Sequence, residues 1–138
     1  MKKAIVLLLF SLCLQAFSQK DAYVIYRANG KKVSYKKMLK TIAQKDILLF
    51  GELHNNPIAH WLQYELTSDL NAQRSLVLGA EMLESDNQKV LTQYLNGEIE
   101  AKALDTLARL WPNHKTDYGP LVDFAKDNNL NFVASNIP

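Results

Sequence analysis

Three ionisable side chains follow an apolar segment near the middle of the chain, and their types suit metal binding or proton transfer. Glu52 and His54 come directly after the apolar residues 47–50, and His60 lies six positions beyond His54. Carboxylates and imidazoles are ligands of divalent metals, and they also act as general acids and bases. Residues 47–50 read as a buried strand, and open α/β sheets bind ligands just beyond the ends of their strands. We therefore predict a functional site at Glu52 and His54.

A second carboxylate, Glu81, lies near the end of another apolar stretch, 75–82, which also reads as a buried strand. If the two strands are parallel, their carboxyl ends share one edge of the sheet, and Glu81 joins Glu52 and His54. One interpretation is a metal site at Glu52, His54 and Glu81, which would be the catalytic residues of a hydrolase with a metal-bound water as nucleophile. The alternative is that each glutamate stabilises the N-terminus of the following helix.

His60 falls within a predicted helix that starts at Pro57, where Asn55 or Asn56 can cap it. His54 and His60 are six residues apart, so they are not the i, i+4 histidine pair of a zinc-binding helix. The helical period turns His60 away from the apolar stripe, so His60 faces either the same crevice as His54 or water. The residues predicted to form that core-facing stripe are Ile58, Trp61, Leu62, Leu66 and Leu70.

A polar-aromatic cluster, Trp111, His114 and Tyr118, precedes the last predicted helix. Tyr and His can both ligate haem iron, and aromatic rings can stack on a porphyrin. The alternative reading of Trp111 is structural, as a side chain that seals its loop onto the core.

The order of the strands and helices that must position these residues predicts an α/β fold with a mainly parallel β-sheet and crossover helices. Asn29-Gly30 between two short β-prone segments predicts an N-terminal β-hairpin. Three apolar strands, at 47–50, 75–82 and 130–134, alternate with helices, which favours a parallel sheet. The stretch 85–114 holds one helix more than a crossover requires. Because the last strand reaches the final residues, we expect the chain to form the N-terminal part of a larger domain.

The first 18 residues have the pattern of a signal peptide. Lys2-Lys3 precede an apolar stretch, and Ala16 and Ser18 provide the small residues of a cleavage site. We therefore predict a leader at 1–18, a single α/β domain at 19–138, and an exported protein in the periplasm or associated with the cell-envelope membrane.

Charge and cysteine content exclude several classes of function. Removal of Lys2 and Lys3 leaves 14 of the 16 basic residues against 14 acidic ones, so the mature chain is neutral and no nucleic-acid partner is expected. The only cysteine, Cys13, leaves with the leader, which excludes disulfides and thiolate metal sites in the exported protein.

Four motifs in register resemble the ChaN-like haem-binding uptake family of the Tiki/TraB superfamily. They are Gly51-Glu52-Leu53-His54-Asn55-Asn56-Pro57 with His60, Gly79-Ala80-Glu81-Met82, Trp111 with Tyr118-Gly119-Pro120-Leu121 and Phe124-Ala125, and Ala134-Ser135-Asn136-Ile137-Pro138. They recur through nearly all of the mature chain.

The resemblance implies haem as the cofactor or cargo, with His54, His60 and Tyr118 as candidate contacts to the iron or the propionates. It implies that the partners of the protein are haem or another small ligand and an outer-membrane or cell-surface uptake system. A homodimer is an open alternative. Because the superfamily also contains metal-dependent peptidases, the hydrolase at Glu52, His54 and Glu81, with a divalent metal ion, stays open. Family members are roughly twice as long as this chain, which agrees with the expectation of a partial domain.

Overall fold

The computed structural model describes residues 20–138, so the predicted leader at 1–18 lies outside the described residues. The chain divides into two compact units, one up to Ser34 and the other Tyr35–Pro138. The first contains the predicted hairpin, in which β1 (Ile25–Tyr26) pairs antiparallel with β2 (Lys32–Val33). Gly30 adopts a φ of 77° in the turn, a left-handed conformation that glycine accepts without strain. The prediction of one domain over 19–138 stays a prediction.

The second unit confirms the predicted α/β class, with five α-helices and two parallel strands. Two shorter helical turns interrupt the long connection between the strands. The elements in chain order are α1 (Tyr35–Ile42), α2 (Pro57–Asn71), β3 (Val77–Glu84), a 3₁₀ turn (Ser85–Asn87), α3 (Gln88–Leu95), α4 (Ala101–Leu107), a π-helical turn (His114–Tyr118), α5 (Gly119–Asp127) and β4 (Asn131–Asn136). None of the helices in the described residues combines the length and the apolar character that crossing a bilayer requires.

The core lies on one face of the β3–β4 sheet. Leu78 of β3 is in register with Phe132 of β4, and Ala80 is in register with Ala134. Phe132 and Ala134 are buried in the same cluster as Leu91 of α3, while Val133 on the alternate face is exposed. The register becomes irregular between Ala80 and Glu84, a stretch that includes Glu81. The sheet therefore shares one hydrophobic core with α3, α4 and α5. The extra helix predicted between the strands contributes to this core.

Helix α2 begins where the sequence predicts, but its buried face is different. The Asn56 side chain accepts hydrogen bonds from the backbone N–H groups of Ile58 and Ala59, and Pro57 occupies the first turn. The buried residues of the helix are His60, Gln63, Leu66 and Leu70. The predicted stripe is wrong at Ile58 and at Trp61, which is 46% exposed. The buried face therefore includes His60 and Gln63, which lie next to a carboxylate described below.

The predicted buried strand at 47–50 is wrong. This segment forms no strand, and Leu49 is 89% exposed. Burial of a central parallel strand needs a covering layer on each face, and within residues 20–138 no such layer covers this segment. Leu48 and Phe50 instead line a cavity of about 850 Å³ whose walls include α2 and β3. The parallel sheet therefore has two strands in the described residues, where the sequence predicted three.

Candidate functional site

Glu52 lies at the centre of a buried network of polar side chains. Its side chain is only 4% exposed. At Oε1, the Tyr118 hydroxyl donates a hydrogen bond of 3.0 Å and His54 Nδ1 lies at 3.2 Å. At Oε2, Gln63 Nε2 donates at 3.1 Å and His60 Nδ1 lies at 3.0 Å. A buried carboxylate is costly unless hydrogen-bond donors surround it, and Tyr118 and Gln63 provide one donor to each of its two oxygens.

His54 is anchored on one side and open on the other. Its backbone carbonyl accepts a hydrogen bond of 2.9 Å from Asn113 Nδ2 and lies 3.2 Å from His60 Nε2. Its ring packs edge-to-face against Trp111, with centroids 5.0 Å apart. Nδ1 faces Glu52, whereas within residues 20–138 no hydrogen bond involves Nε2, and the side chain is 49% exposed. The loop therefore presents a fixed imidazole with one nitrogen available to a ligand.

His60 lies in the site, so the alternative that placed it in water is wrong. The residue is buried, and its ring packs edge-to-face against Tyr118 at 5.0 Å. Because the His54 carbonyl can only accept, His60 Nε2 must carry the proton in their hydrogen bond. Nδ1 lies close to Glu52 Oε2 without the alignment of a hydrogen bond, and the two form an ion pair when the ring is protonated. His60 therefore supports the His54 loop from α2, and its ring lies beside the Glu52 carboxylate.

Tyr118 is a buried donor. It is 3% exposed, and burial together with the hydrogen bond to Glu52 and the negative charge of that residue raises its pKa to about 12. The phenol is therefore protonated at neutral pH and donates to Glu52 Oε1. Asn113 completes this part of the network, because its amide also donates to Asp117 Oδ2 at 2.8 Å and holds the pKa of that carboxyl below its usual range.

The structure does not assemble the metal site predicted at Glu52, His54 and Glu81. All three residues line the same cavity, but Glu81 is exposed on β3 and Glu52 is turned toward the donors already described. Within residues 20–138, no group of three His, Cys, Asp or Glu side chains is arranged to hold a metal ion. The expected geometry fails because it required 47–50 to be a strand parallel to β3.

Sequence reasoning missed Gln63 and Asn113, and it placed His114 in the polar-aromatic cluster. Gln63 lies three residues after His60, so the helical period alone could have shown that the two share a face. No local signal connects Asn113 with His54. His114 is buried, and burial lowers its pKa despite the opposing charges of Asp105 and Asp123. It does not line the cavity and belongs to the packing around Gly119.

Comparison with known proteins finds a matching family and a solved structure with a similar fold. Residues 38–138 match the family described as "Haem-binding uptake, Tiki superfamily, ChaN". A solved structure titled "Cofacial heme binding to ChaN of Campylobacter jejuni" superposes with a TM-score of 0.70 at 21% sequence identity. The superposition covers 87% of this chain and 50% of that one, so this chain spans half the length of the ChaN structure. A comparison with curated protein sequences finds no match. The family match covers most of the chain and includes Glu52, His54, His60 and Tyr118, and the chain therefore belongs to the haem-binding uptake family of the Tiki superfamily.

Proposed function

We propose that this protein binds haem in a haem or iron uptake process and that His54 Nε2 is the contact to the iron. The observation that carries the proposal is the geometry of His54, whose Nδ1 faces Glu52 while Nε2 is open. A histidine that ligates a metal usually donates its other N–H to a carboxylate or carbonyl, so the arrangement fits haem iron. The family to which the chain belongs supports the choice of haem over other iron compounds.

The surroundings of His54 suit a large, flat and mainly apolar ligand. The cavity of about 850 Å³ has a polar part that includes His54 and Glu52 and an apolar part that includes Leu48, Phe50 and Leu66. Cavities of roughly 300 to 1,000 Å³ with mostly apolar walls and a few polar groups are typical of small-molecule sites. We assign His60 and Tyr118 to the support of His54, because both are buried and both face Glu52.

Haem titration of the purified protein tests the proposal. His54→Gly should abolish the absorption and Raman features of an imidazole-ligated haem, and free imidazole should restore them, because the small ligand can occupy the space that the side chain leaves. His114→Phe is the control, since it removes a histidine that does not line the cavity, and it should bind haem as the parent does. An imidazole-ligated spectrum in His54→Gly without added imidazole would refute His54 as the ligand.

We further propose that the protein is exported and acts in the periplasm or at the cell surface, next to an outer-membrane uptake system. Support comes from the leader pattern of residues 1–18 and from the family. Intact-mass measurement on protein from an exporting host should give a chain that begins at Gln19. An acylated N-terminus at Cys13 would instead make the protein a lipoprotein. The homodimer stays a prediction, which light scattering with and without haem can measure.

The metal-dependent hydrolase stays a prediction. In the described residues Glu52, His54 and Glu81 do not form a group that could hold a metal ion.

A further inference from the structure

Positive charge is concentrated in the part of the chain that follows the predicted leader. Residues 20–45 contain eight of the 14 basic residues beyond position 18, and Asp21 is the only acidic residue among them. Residues 46–138 contain six basic and 13 acidic residues, so the neutral mature chain consists of one strongly basic and one strongly acidic part. Such a charge asymmetry indicates an interaction with a polyanion or with a membrane surface. The proposed function assigns no role to these basic residues.

Helix α1 presents part of this charge on an exposed face. Lys36, Lys37 and Lys40 are exposed, whereas the apolar residues of the helix are half-buried. The helix is attached to α2, because the Tyr35 hydroxyl donates a hydrogen bond of 2.8 Å to Asp69 Oδ2. The lysines are therefore carried by a fixed amphipathic helix, and basic amphipathic helices are typical of membrane-binding surfaces.

The segment after α1 exposes large apolar side chains beside further cations. Ile47 is 79% exposed, and Leu49 is more exposed still. Lys45 directly precedes this segment, and the Arg74 guanidinium donates a hydrogen bond of 3.1 Å to the Lys45 carbonyl. Exposed apolar patches with a polar rim mark sites of interaction with proteins or membranes. Asp46 is the only carboxylate between positions 22 and 51, so the surroundings of the apolar side chains are mainly cationic.

We propose that α1 and residues 45–50 form a membrane-binding surface that attaches the protein peripherally to anionic phospholipids. The lysines contact the phosphate headgroups, and Ile47 and Leu49 enter the boundary between headgroups and acyl chains. Electrostatic attraction and burial of apolar side chains are the two contributions by which interfacial segments bind membranes. The proposal goes beyond haem binding and does not depend on it.

The chemistry of this membrane-binding surface favours a lipid over other polyanions. Aliphatic side chains beside lysines match the two layers of a membrane surface, in which charged headgroups cover hydrocarbon. The phosphate backbone of a nucleic acid attracts the lysines but offers no hydrocarbon layer for Ile47 and Leu49. A second copy of this chain is the competing occupant, because its residues 46–138 carry the opposite net charge.

Vesicle co-sedimentation tests the contribution of charge, with the full chain purified from an exporting host. The parent should bind vesicles that contain phosphatidylglycerol and not vesicles of phosphatidylcholine alone, and added salt should weaken the binding. Each lysine near an anionic membrane contributes roughly a fivefold gain in affinity, so Lys36→Gln, Lys37→Gln and Lys40→Gln combined should lower partitioning by about 100-fold. Haem titration of this triple variant should match that of the parent.

A matched control makes the same change in net charge elsewhere. Lys89, Lys102 and Lys115 are exposed lysines outside the membrane-binding surface. Their combined replacement by glutamine should leave vesicle binding close to that of the parent. An equal loss in the two triple variants would show that net charge alone drives the binding, which overturns the assigned surface.

Ile47→Asn tests the apolar contribution separately. Burial of this side chain in the membrane should be worth about 10-fold in partitioning. Leu107→Asn is the control, because Leu107 is an exposed apolar residue on α4, outside the membrane-binding surface. Equal binding in Ile47→Asn and Leu107→Asn would overturn the insertion of the apolar segment.

The remaining outcomes distinguish the occupants. Failure of the parent to bind anionic vesicles at low salt overturns the proposal, whatever the result of the haem titration. Light scattering identifies a second copy as the occupant if the mass of the parent increases with concentration, the triple variant Lys36→Gln, Lys37→Gln and Lys40→Gln stays monomeric, and neither protein binds vesicles. That result also overturns attachment to lipid.

Discussion

Tyr118→Phe removes one oxygen atom from the centre of the site and keeps the buried ring. Tyr118 is 3% exposed, and its hydroxyl donates to Glu52 Oε1 at 3.0 Å. A hydrogen bond to a charged group contributes roughly 1.5 to 3 kcal/mol to stability. Because Gln63 and the two histidines stay close to Glu52, we expect the lower end of that range, a decrease of about 1.5 kcal/mol in the free energy of unfolding.

Tyr94→Phe is the matched control, because it makes the same chemical change outside the site. The Tyr94 hydroxyl donates to Asp123 Oδ1 at 2.6 Å, and the ring is buried in the core. Asp123 is exposed, so water can replace the lost donor, and we expect a smaller decrease of about 0.5 to 1 kcal/mol. Haem binding should be unchanged in Tyr94→Phe.

Urea denaturation measures both effects. With an m-value of about 1 to 3 kcal/mol/M, Tyr118→Phe should lower the midpoint by roughly 0.5 to 1.5 M. A double-mutant cycle with Glu52→Gln should give a coupling energy of at least about 0.5 kcal/mol, since the two groups are in direct contact. A decrease of less than about 0.5 kcal/mol together with an additive cycle would show that Tyr118 does not donate to Glu52, and the account of the site would be wrong.

Two further predictions concern the core and the pH dependence of stability. Leu91→Ala should lower the free energy of unfolding by about 2 to 5 kcal/mol because Leu91 is 1% exposed. Trp61→Ala should lower it by only about 1 kcal/mol. The opposite order in denaturant melts would show that α2 packs through the face predicted from sequence. Burial lowers the pKa of His114 below its ordinary value of 6.5. Between the two pKa values the unfolded chain therefore binds more protons than the folded chain. The contribution of this residue to stability is complete above pH 6.5 and is lost as pH falls through the lowered pKa. In melts between pH 7.5 and 5, this group should lower the free energy of unfolding by no more than about 1.4 kcal/mol per pH unit. His114→Phe should reduce the slope of this free energy against pH, and an unchanged slope would contradict the lowered pKa of His114.

The sequence by itself determined the features that depend on neighbouring residues. The Asn29-Gly30 turn, the Asn56 cap with Pro57 after it, and the α/β class all follow from local conformational preferences and from hydrophobic period. The proximity of the Glu52 and His54 side chains could also be predicted from the sequence, because the two residues are two positions apart next to the start of a helix.

Only the tertiary structure decided which groups surround these two residues. Tyr118 is 66 positions from Glu52, and Asn113 is 59 positions from His54, so no local pattern could join them. The apolar run 47–50 read as a buried strand, since hydrophobicity reports a preference for burial and not the presence of a covering layer. The period of α2 favoured Ile58 and Trp61 for the core, but His60 and Gln63 are the residues buried beside the Glu52 carboxylate, to which Gln63 donates a hydrogen bond. The roles of these side chains therefore depend on contacts between distant segments, which form only when the chain folds.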